Sequence, residues 1–319
     1  MTYYVTTLLV YAAVDIIACI ALNMQFGVAG LVNFGFILFQ AAGAYTAALL
    51  SLPPQTANGG FQEYILGLQL PFPIPWLAGA LAGGLLAIPI GFVVLRKLRG
   101  DYQAIALLVI SVIANTLVTN ARPILNGAAG LSLVPAPLAD QGVDTSTVEY
   151  QYFYVAISLL CVGLVLFAAN RIANSPYGRS MRAMRENEVA AAALGKNLVA
   201  LKLTMFVVGG VMGGLSGAIL VGFINLWAPA GWLYPETIVL FAAIIVGGRG
   251  NNWGAILGAI LVPVGFFEAT RFIPSFGQPG LVPAFQWVAI GCFILGFLWF
   301  RPKGVIPEQR RTFPKASGV

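Results

Sequence analysis

The chain has 319 residues, of which 59% are hydrophobic and only 9% are charged, and its mean hydropathy is +0.87. An ordinary soluble domain carries about 25% charged residues, so the composition excludes one and predicts an all-α polytopic membrane protein. The sequence contains no histidine, and its three cysteines each fall within an apolar run. Zinc sites, haem sites and catalysis by histidine are therefore not expected.

Apolar segments of about 20 residues, taken in chain order, predict about nine membrane-spanning helices, with about eight to ten as the range. They cover residues 4–22, 36–52, 74–95, 102–119, 152–170, 203–226, 234–247, 254–273 and 284–300. The first segment lacks a basic region and a cleavage site, so it is expected to remain as a span. The glycine-rich stretch Gly27–Gly35 predicts a broken or re-entrant element, which is tolerated in a membrane only when it is packed inside protein.

Basic residues between the spans predict the orientation of the chain. The connections after the third, fifth, seventh and ninth spans contain 15 of the 17 lysines and arginines, and only Arg122 and Arg271 fall elsewhere. Because basic connections face the cytoplasm, we expect the N-terminus outside the cell, and the loop at residues 171–202 and the tail at residues 301–319 inside. The net charge of +6 is thus a topology signal in a plasma-membrane (inner-membrane) protein, and no nucleic-acid partner is expected.

The most informative connection follows the fifth span, at residues 175–197, SPYGRSMRAMRENEVAAAALGKN. Ser175 followed by Pro176 predicts a helix start, and the run Ala190–Leu194 before Gly195 favours a helix that ends at the glycine. The pattern predicts a charged helix on the cytoplasmic face, which would offer a soluble partner a docking surface. The alternative is a solvated linker helix held by its own salt bridges.

Ionisable residues inside the predicted spans are few, and an intramembrane charge is a candidate for a transport pathway. The candidates are Asp15 and Glu268, together with Asn33 from the glycine-rich stretch. Glu268 could instead pair with Arg271, three residues further along the same helix. Asp15 could be a structural carboxyl group, either hydrogen-bonded or protonated.

Glycines recur at every fourth residue in the sixth span, at Gly209, Gly213 and Gly217. This spacing lets helix backbones approach closely. We expect close packing within the chain, and the alternative is a sliding or subunit seam used in gating.

The sequence contains no GxxxxGK[ST] motif and no large soluble segment that could hold another nucleotide site. No cofactor and no enzymatic activity of the chain itself are therefore expected. If ATP drives the protein, the ATPase is another polypeptide, docked on the helix at residues 175–197.

Five stretches in order resemble one known family. They are Gly43–Leu49 (GAYTAAL), Leu98–Tyr102 (LRGDY), Asn126–Leu131 (NGAAGL), Gly178–Gly195, and Gly247–Gly254 (GGRGNNWG). The chain resembles, over most of its length, a permease of the branched-chain amino acid ABC importers, of the LivM-like type. The resemblance implies one transmembrane permease domain over residues 1–319 that moves branched-chain or other neutral amino acids into the cell by alternating access.

The resemblance also implies partners and a role for the charged helix. The expected partners are two ABC ATPase subunits inside, a second homologous permease, a solute-binding protein outside, and membrane lipid. In such importers a cytoplasmic coupling helix lies in a groove of the ATPase. On this chain the coupling residues would be Arg179, Arg182, Arg185, Glu186, Glu188, Ala191, Ala192 and Gly195.

Three other functions remain open from the sequence. Relatives of similar appearance carry urea and short amides, so a permease for those solutes is the nearest alternative. An ion-coupled secondary transporter would need buried ionisable groups and often has inverted repeats, and no repeat is evident in the sequence. An integral membrane enzyme would need a cluster of polar catalytic residues, which the sequence does not offer.

Overall fold

The structure is a computed structural model that describes residues 2–55, 62–98, 100–139, 143–145, 147–272 and 281–308. Its helices are α1 (Thr2–Asn23), α2 (Ile37–Ser51), α3 (Ile74–Lys97), α4 (Gly100–Asn120), α5 (Arg122–Leu125), α6 (Val148–Asn174), α7 (Pro176–Glu186), α8 (Glu188–Ala193), α9 (Leu198–Ile224), α10 (Tyr234–Gly247), α11 (Asn252–Ala259), α12 (Phe267–Arg271) and α13 (Leu281–Phe300). Two π-helical segments, Met24–Val28 and Ile260–Phe266, extend α1 and join α11 to α12. Strands β1 (Leu131–Ser132) and β2 (Leu226–Trp227) form one short antiparallel pair.

The predicted all-α membrane fold is confirmed. Within the described residues, eight helical segments are long and apolar enough to cross a membrane, and α2 is a shorter ninth apolar helix. The helices extend past the predicted apolar segments where a polar residue caps them. Asn197, for example, accepts a hydrogen bond from the backbone N–H of Ala200 at 3.1 Å and starts α9.

The charged segment at residues 175–197 is two helices rather than the single helix that the sequence predicted. Asn187 adopts an extended backbone (φ −155°, ψ 103°), and its side chain accepts from the N–H of Ala190 at 3.0 Å. Asparagine competes with helical hydrogen bonding in this way, so it ends α7 and caps α8. The predicted ends are confirmed: Ser175 caps α7, and Gly195 has a φ of +74° directly after α8.

The predicted break between the first two spans is confirmed, and it is packed inside protein. Residues 29–36 form no helix and are mostly buried. The side chain of Asn33 donates to Gln25 at 2.9 Å and accepts from the N–H of Gly35 at 3.1 Å. α2 then begins next to α10, where the N–H of Ile37 donates to the Thr237 hydroxyl at 3.2 Å.

The second half of the chain repeats the element order of the first half, and its helices run antiparallel to the corresponding helices of the first half. α1 with its extension and α9 contain 27 residues each, and each is followed by a break and a short helix, α2 with 15 residues and α10 with 14. α3 packs on α9, and α11 packs on α1. The ring of Tyr11, early in α1, has its centroid 6.0 Å from that of Phe223 at the end of α9. The side chain of Gln25, just after α1, donates to the carbonyl oxygen of Phe206 near the start of α9, so α1 and α9 run antiparallel. These lengths and contacts are those of an inverted repeat. The repeat is not evident in the sequence because element lengths recur where residues do not.

Glycines bring α2 and α3 into backbone contact with α9. A Cβ atom on Gly43 of α2 would lie 2.0 Å from the carbonyl oxygen of Gly214 in α9, and one on Gly83 of α3 would lie 2.3 Å from that of Gly210. A Cβ on Gly217 would lie 1.9 Å from the Gln40 carbonyl oxygen. The glycines therefore serve close packing within the chain, as expected.

The helix ends define two faces. The basic face contains α7, α8, residues 301–308 and the junction between α10 and α11. The described lysines and arginines follow the predicted division: Arg271 lies 5.8 Å from the Tyr4 ring at the other face, and Arg122 lies there in α5. Arg99, Arg310, Arg311 and Lys315 lie outside the described residues.

Candidate functional site

α7 and α8 carry an exposed apolar tip at the basic face. Val189 is 80% exposed and Leu194 is 78% exposed, and Ala192 and Gly195 are also exposed. Ala191 faces the other way and is buried. Val189 and Ala192 are three positions apart and share one face of α8. We call Val189, Ala192, Leu194 and Gly195 the α8 tip, an apolar surface outside the membrane-spanning helices of the kind that partners cover.

The base of α7 is anchored in the protein. Met181 and Met184 are fully buried. Arg182 and Arg185 hold the carboxylate of Glu308 between them: Arg182 Nε lies 2.9 Å from Oε1, and Arg185 Nη2 donates to Oε2 at 2.7 Å. Only the Arg185 contact has hydrogen-bond geometry, so Arg182 contributes an ion pair. Both ion pairs are partly shielded from water, which strengthens them relative to fully exposed pairs.

Glu308 reaches α7 because the chain after α13 folds back along the basic face. We call residues 301–308 the C-terminal strap. The N–H of Val305 donates to the carbonyl of Val246 at 2.9 Å, and the N–H of Ile306 donates to that of Gly247 at 2.8 Å. The strap therefore lies along the end of α10, held by backbone hydrogen bonds.

Two glycines in the junction between α10 and α11 make room for the strap. Gly248 has a φ of +130°, and a Cβ there would lie 2.1 Å from the carbonyl oxygen of Ile306. Gly250 has a φ of +84°, and a Cβ there would lie 2.8 Å from a Glu308 carboxylate oxygen. The GGRGNNWG stretch is thus the surface that receives the strap, since any side chain at these two positions would displace it.

Arg185 also connects α7 to the end of the first span. Its second guanidinium nitrogen, Nη1, donates to the carbonyl oxygen of Gly27. Two residues earlier, Gln25 donates to the carbonyl of Phe206 in α9 at 3.0 Å and accepts from Asn33 at 2.9 Å. Polar contacts therefore join the end of the first span to α7, to the broken segment and to α9.

A second set of polar contacts joins three spans at the same face. Asn23 donates to Asn252 at 2.9 Å, Asn252 donates to Asn170 at 2.9 Å, and the N–H of Gly250 donates to Asn23 at 2.9 Å. Because buried amide groups are costly unless they are hydrogen-bonded, these contacts fix α1, α6 and α11 relative to one another.

An open cleft of about 740 Å³ lies between the end of α6, α7 and the start of α11. It is lined by Asn170, Arg179, Arg182, Arg185, Asn252 and Glu308, among others. Among the described residues, no three histidine, cysteine, aspartate or glutamate side chains meet as a metal site. The cleft is open, and most of its lining side chains are charged or amide groups.

The predicted coupling residues take different places. Arg182 and Arg185 point inward to the strap, whereas Arg179 and Glu186 are exposed and line the cleft. Glu188, at the start of α8, pairs with Lys202 of α9 at 2.7 Å, and the Lys202 side chain is only 9% exposed. Ala192 and Gly195 belong to the α8 tip, and Ala191 packs beneath it.

The predicted pathway residues do not come together. Asn33 is buried at the break, while Glu268 lies at the opposite face, where it pairs with Arg271 at 3.1 Å and accepts from the Tyr4 hydroxyl. The alternative prediction of a Glu268–Arg271 pair is therefore confirmed. Asp15 lies in α1 within electrostatic range of Glu236 and forms no hydrogen bond or ion pair with a described residue.

Sequence reasoning missed Glu308, which both arginines contact, and the asparagines at the helix ends. A weak signal for Glu308 was present, because it is the single acidic residue in residues 301–319, a stretch with five basic residues. The asparagine contacts left no such signal, since Asn23 and Asn252 are 229 positions apart.

Comparison with known proteins gives the family. Residues 4–299 match the family described as "Branched-chain amino acid transport system / permease component". The chain is 32% identical to the high-affinity branched-chain amino acid transport system permease protein LivM of Escherichia coli strain K12, over 95% of this chain and 70% of that protein. It is 28% identical to the probable branched-chain amino acid transport permease protein LivM of Methanocaldococcus jannaschii, over 96% of this chain and 94% of that protein.

A third relative has a different solute in its name. The chain is 26% identical to the guanosine ABC transporter permease protein NupQ of Bacillus subtilis, over 100% of this chain and 96% of that protein. No solved structure matches the chain. The match over residues 4–299 and the identity to LivM establish the assignment: the chain belongs to the family of permease components of branched-chain amino acid transport systems.

Proposed function

We propose that this chain is the permease subunit of an ATP-binding-cassette importer, and that its basic face is cytoplasmic. The observation that carries the proposal is the pair α7–α8, which presents an exposed apolar tip while its base is bonded to the end of the first span and to the strap. An ATPase that covered the α8 tip would remove apolar surface from water. The concentration of basic residues at this face supports a cytoplasmic location, since basic connections favour that side of the membrane.

In the proposed mechanism a separate ATPase pair supplies the energy and this chain supplies the movement. Movement of the ATPases on ATP binding would displace the α8 tip, and α7 would carry that displacement inward through Arg185. The residues that receive it, Gly27 and Glu308, belong to different halves of the inverted repeat. Alternating access would then follow from a shift of one half relative to the other, with a second permease as the opposite wall of the pathway.

Branched-chain or other neutral amino acids are the proposed solutes, and a solute-binding protein on the opposite face is proposed to deliver them. Urea and short amides are the nearest alternatives, and the guanosine permease among the relatives favours testing nucleosides too. An ion-coupled secondary transporter is the second candidate class, because inverted repeats are frequent there and Asp15 is a carboxyl group without a basic partner among the described residues.

Affinity purification from mild detergent, followed by ATP-dependent uptake of leucine into proteoliposomes, tests the proposal. We expect a P-loop ATPase and a second permease to copurify. Leu194→Glu is expected to lose the ATPase, whereas the matched control Leu133→Glu, which is 73% exposed at the opposite face, is expected to retain it. A homogeneous chain that takes up solute without any ATPase would overturn the proposal in favour of a secondary transporter.

A further inference from the structure

The C-terminal strap, which carries Glu308, joins elements of the permease that are distant in sequence. It follows the last span, yet it lies against α10 and ends on α7. Its contacts to α10 use backbone atoms, whereas its contact to α7 depends on one side chain, Glu308. The connection between the strap and α7 can therefore be removed by a single substitution that leaves the rest of the strap in place.

Glu308 pairs with two of the three arginines of α7, Arg182 and Arg185. The observed contacts of Arg185 all lie inside the permease, to the strap and to Gly27. Arg182 forms an ion pair with the same carboxylate. These two guanidinium groups therefore connect the base of α7 to the rest of the permease.

The geometry also determines which parts of the permease move with α7. One Arg185 nitrogen donates to the carbonyl oxygen of Gly27 at the end of the first span, and another donates to the Glu308 carboxylate. The strap that carries Glu308 is held to the end of α10 by the backbone N–H groups of Val305 and Ile306. α1 belongs to the first half of the inverted repeat and α10 to the second. Arg185 by itself reaches only α1. Tyr177 of α7 and Glu188 of α8 contact α9, so it is the connection to α10 that depends on Glu308.

We propose that Glu308 is a positioning residue for energy coupling: it fixes α7 to the end of α10 through the strap, so that displacement of α7–α8 reaches α10 as well as α1 and α9. This inference rests on the proposed function. Without the Glu308 carboxylate, α7 would remain folded and docked to its ATPase through the α8 tip, but its displacement would not reach the end of α10. ATP hydrolysis would then continue with less solute moved.

The test measures leucine moved per ATP hydrolysed by the complete transporter in proteoliposomes with its binding protein. Glu308→Gln keeps the shape and removes the charge. We expect this ratio to fall about tenfold, the effect of losing a charge-assisted contact of this kind, while the copurified ATPase and the basal hydrolysis rate stay at wild-type levels. The matched control is Lys303→Gln, which removes an exposed charge from the same strap and is expected to leave the ratio unchanged.

Arg182 supplies a second route to the same answer if Glu308→Gln fails to assemble. Arg182→Gln is expected to lower the ratio less than Glu308→Gln, because Arg185 still holds the carboxylate, and Arg182→Lys is expected to restore most of it. Parallel loss of assembly, hydrolysis and transport in these variants would mean that the contact is only structural and would overturn the proposal. A wild-type ratio in Glu308→Gln would also overturn it while leaving the importer function intact, whereas a wild-type protein without an ATPase would refute the importer function itself.

Discussion

Replacing Gly43 with alanine is expected to destabilise the protein, because α2 and α9 are in backbone contact there. The added Cβ would lie 2.0 Å from the carbonyl oxygen of Gly214 and 2.4 Å from its Cα, whereas ordinary contact begins at 3.4 Å. The helices would have to separate by about 1.4 Å, the difference between 3.4 and 2.0 Å. No side-chain rotation can relieve the clash, since both atoms belong to backbones.

The size of the effect follows from the cost of overpacking. An extra methyl group in a tightly packed core costs about 1–3 kcal/mol, and we expect the upper part of that range because α2 also packs on α3. Since 1 kcal/mol corresponds to about 2–4 °C in Tm for a large domain, a loss of about 2–3 kcal/mol should lower the Tm by about 4–12 °C.

Thermal unfolding of the purified protein in detergent, followed by intrinsic fluorescence, measures this change. The matched control is Gly291→Ala in α13, where an added Cβ would meet nothing within 4 Å. The control should be neutral or slightly stabilising, because alanine favours a helix over glycine. Equal Tm values for the two variants would refute the reasoning that the glycines allow close helix packing.

Three other predictions concern the basic face and the orientation of the chain. Gly195→Leu should reduce solute uptake while the protein stays in the membrane, because a φ of +74° costs a leucine residue about 1–2 kcal/mol and the strain distorts only the α8 tip. Gly195→Asn should retain more uptake. Equal uptake by both variants and the wild type would count against the tip as a docking surface. Glu188→Lys should abolish uptake by leaving the shielded Lys202 beside a like charge, and exchange of the two residues should restore part of it; full activity of the single variant would exclude the pair from coupling. Maleimide labelling of single cysteines should reach Asn126→Cys only from outside the cell and Ser175→Cys only from inside, and the reverse pattern would overturn the orientation.

The candidate site divides into a part that local sequence could predict and a part that it could not. The helix start at Ser175 and the end at Gly195 were predictable, because capping depends on residues within one turn. The break at Asn187 was missed, although asparagine is a strong cap, because the flanking residues favour a helix. The partner of Arg182 and Arg185 was beyond local reasoning, since Glu308 is more than 120 positions away.

The sequence by itself determined the spans, the grouping of basic residues at one face, and the close helix packing at the glycines. Hydropathy, charge and residue size are properties of a short window, and each acts on the chain before any distant contact forms. Only the tertiary structure decided that the second half repeats the first with inverted orientation, that asparagines join α1, α6 and α11, and that Glu308 fixes α7 to the end of α10. Those features depend on which distant atoms meet, and a buried polar group or charge is stable only with a partner at hydrogen-bond distance, which no local pattern identifies.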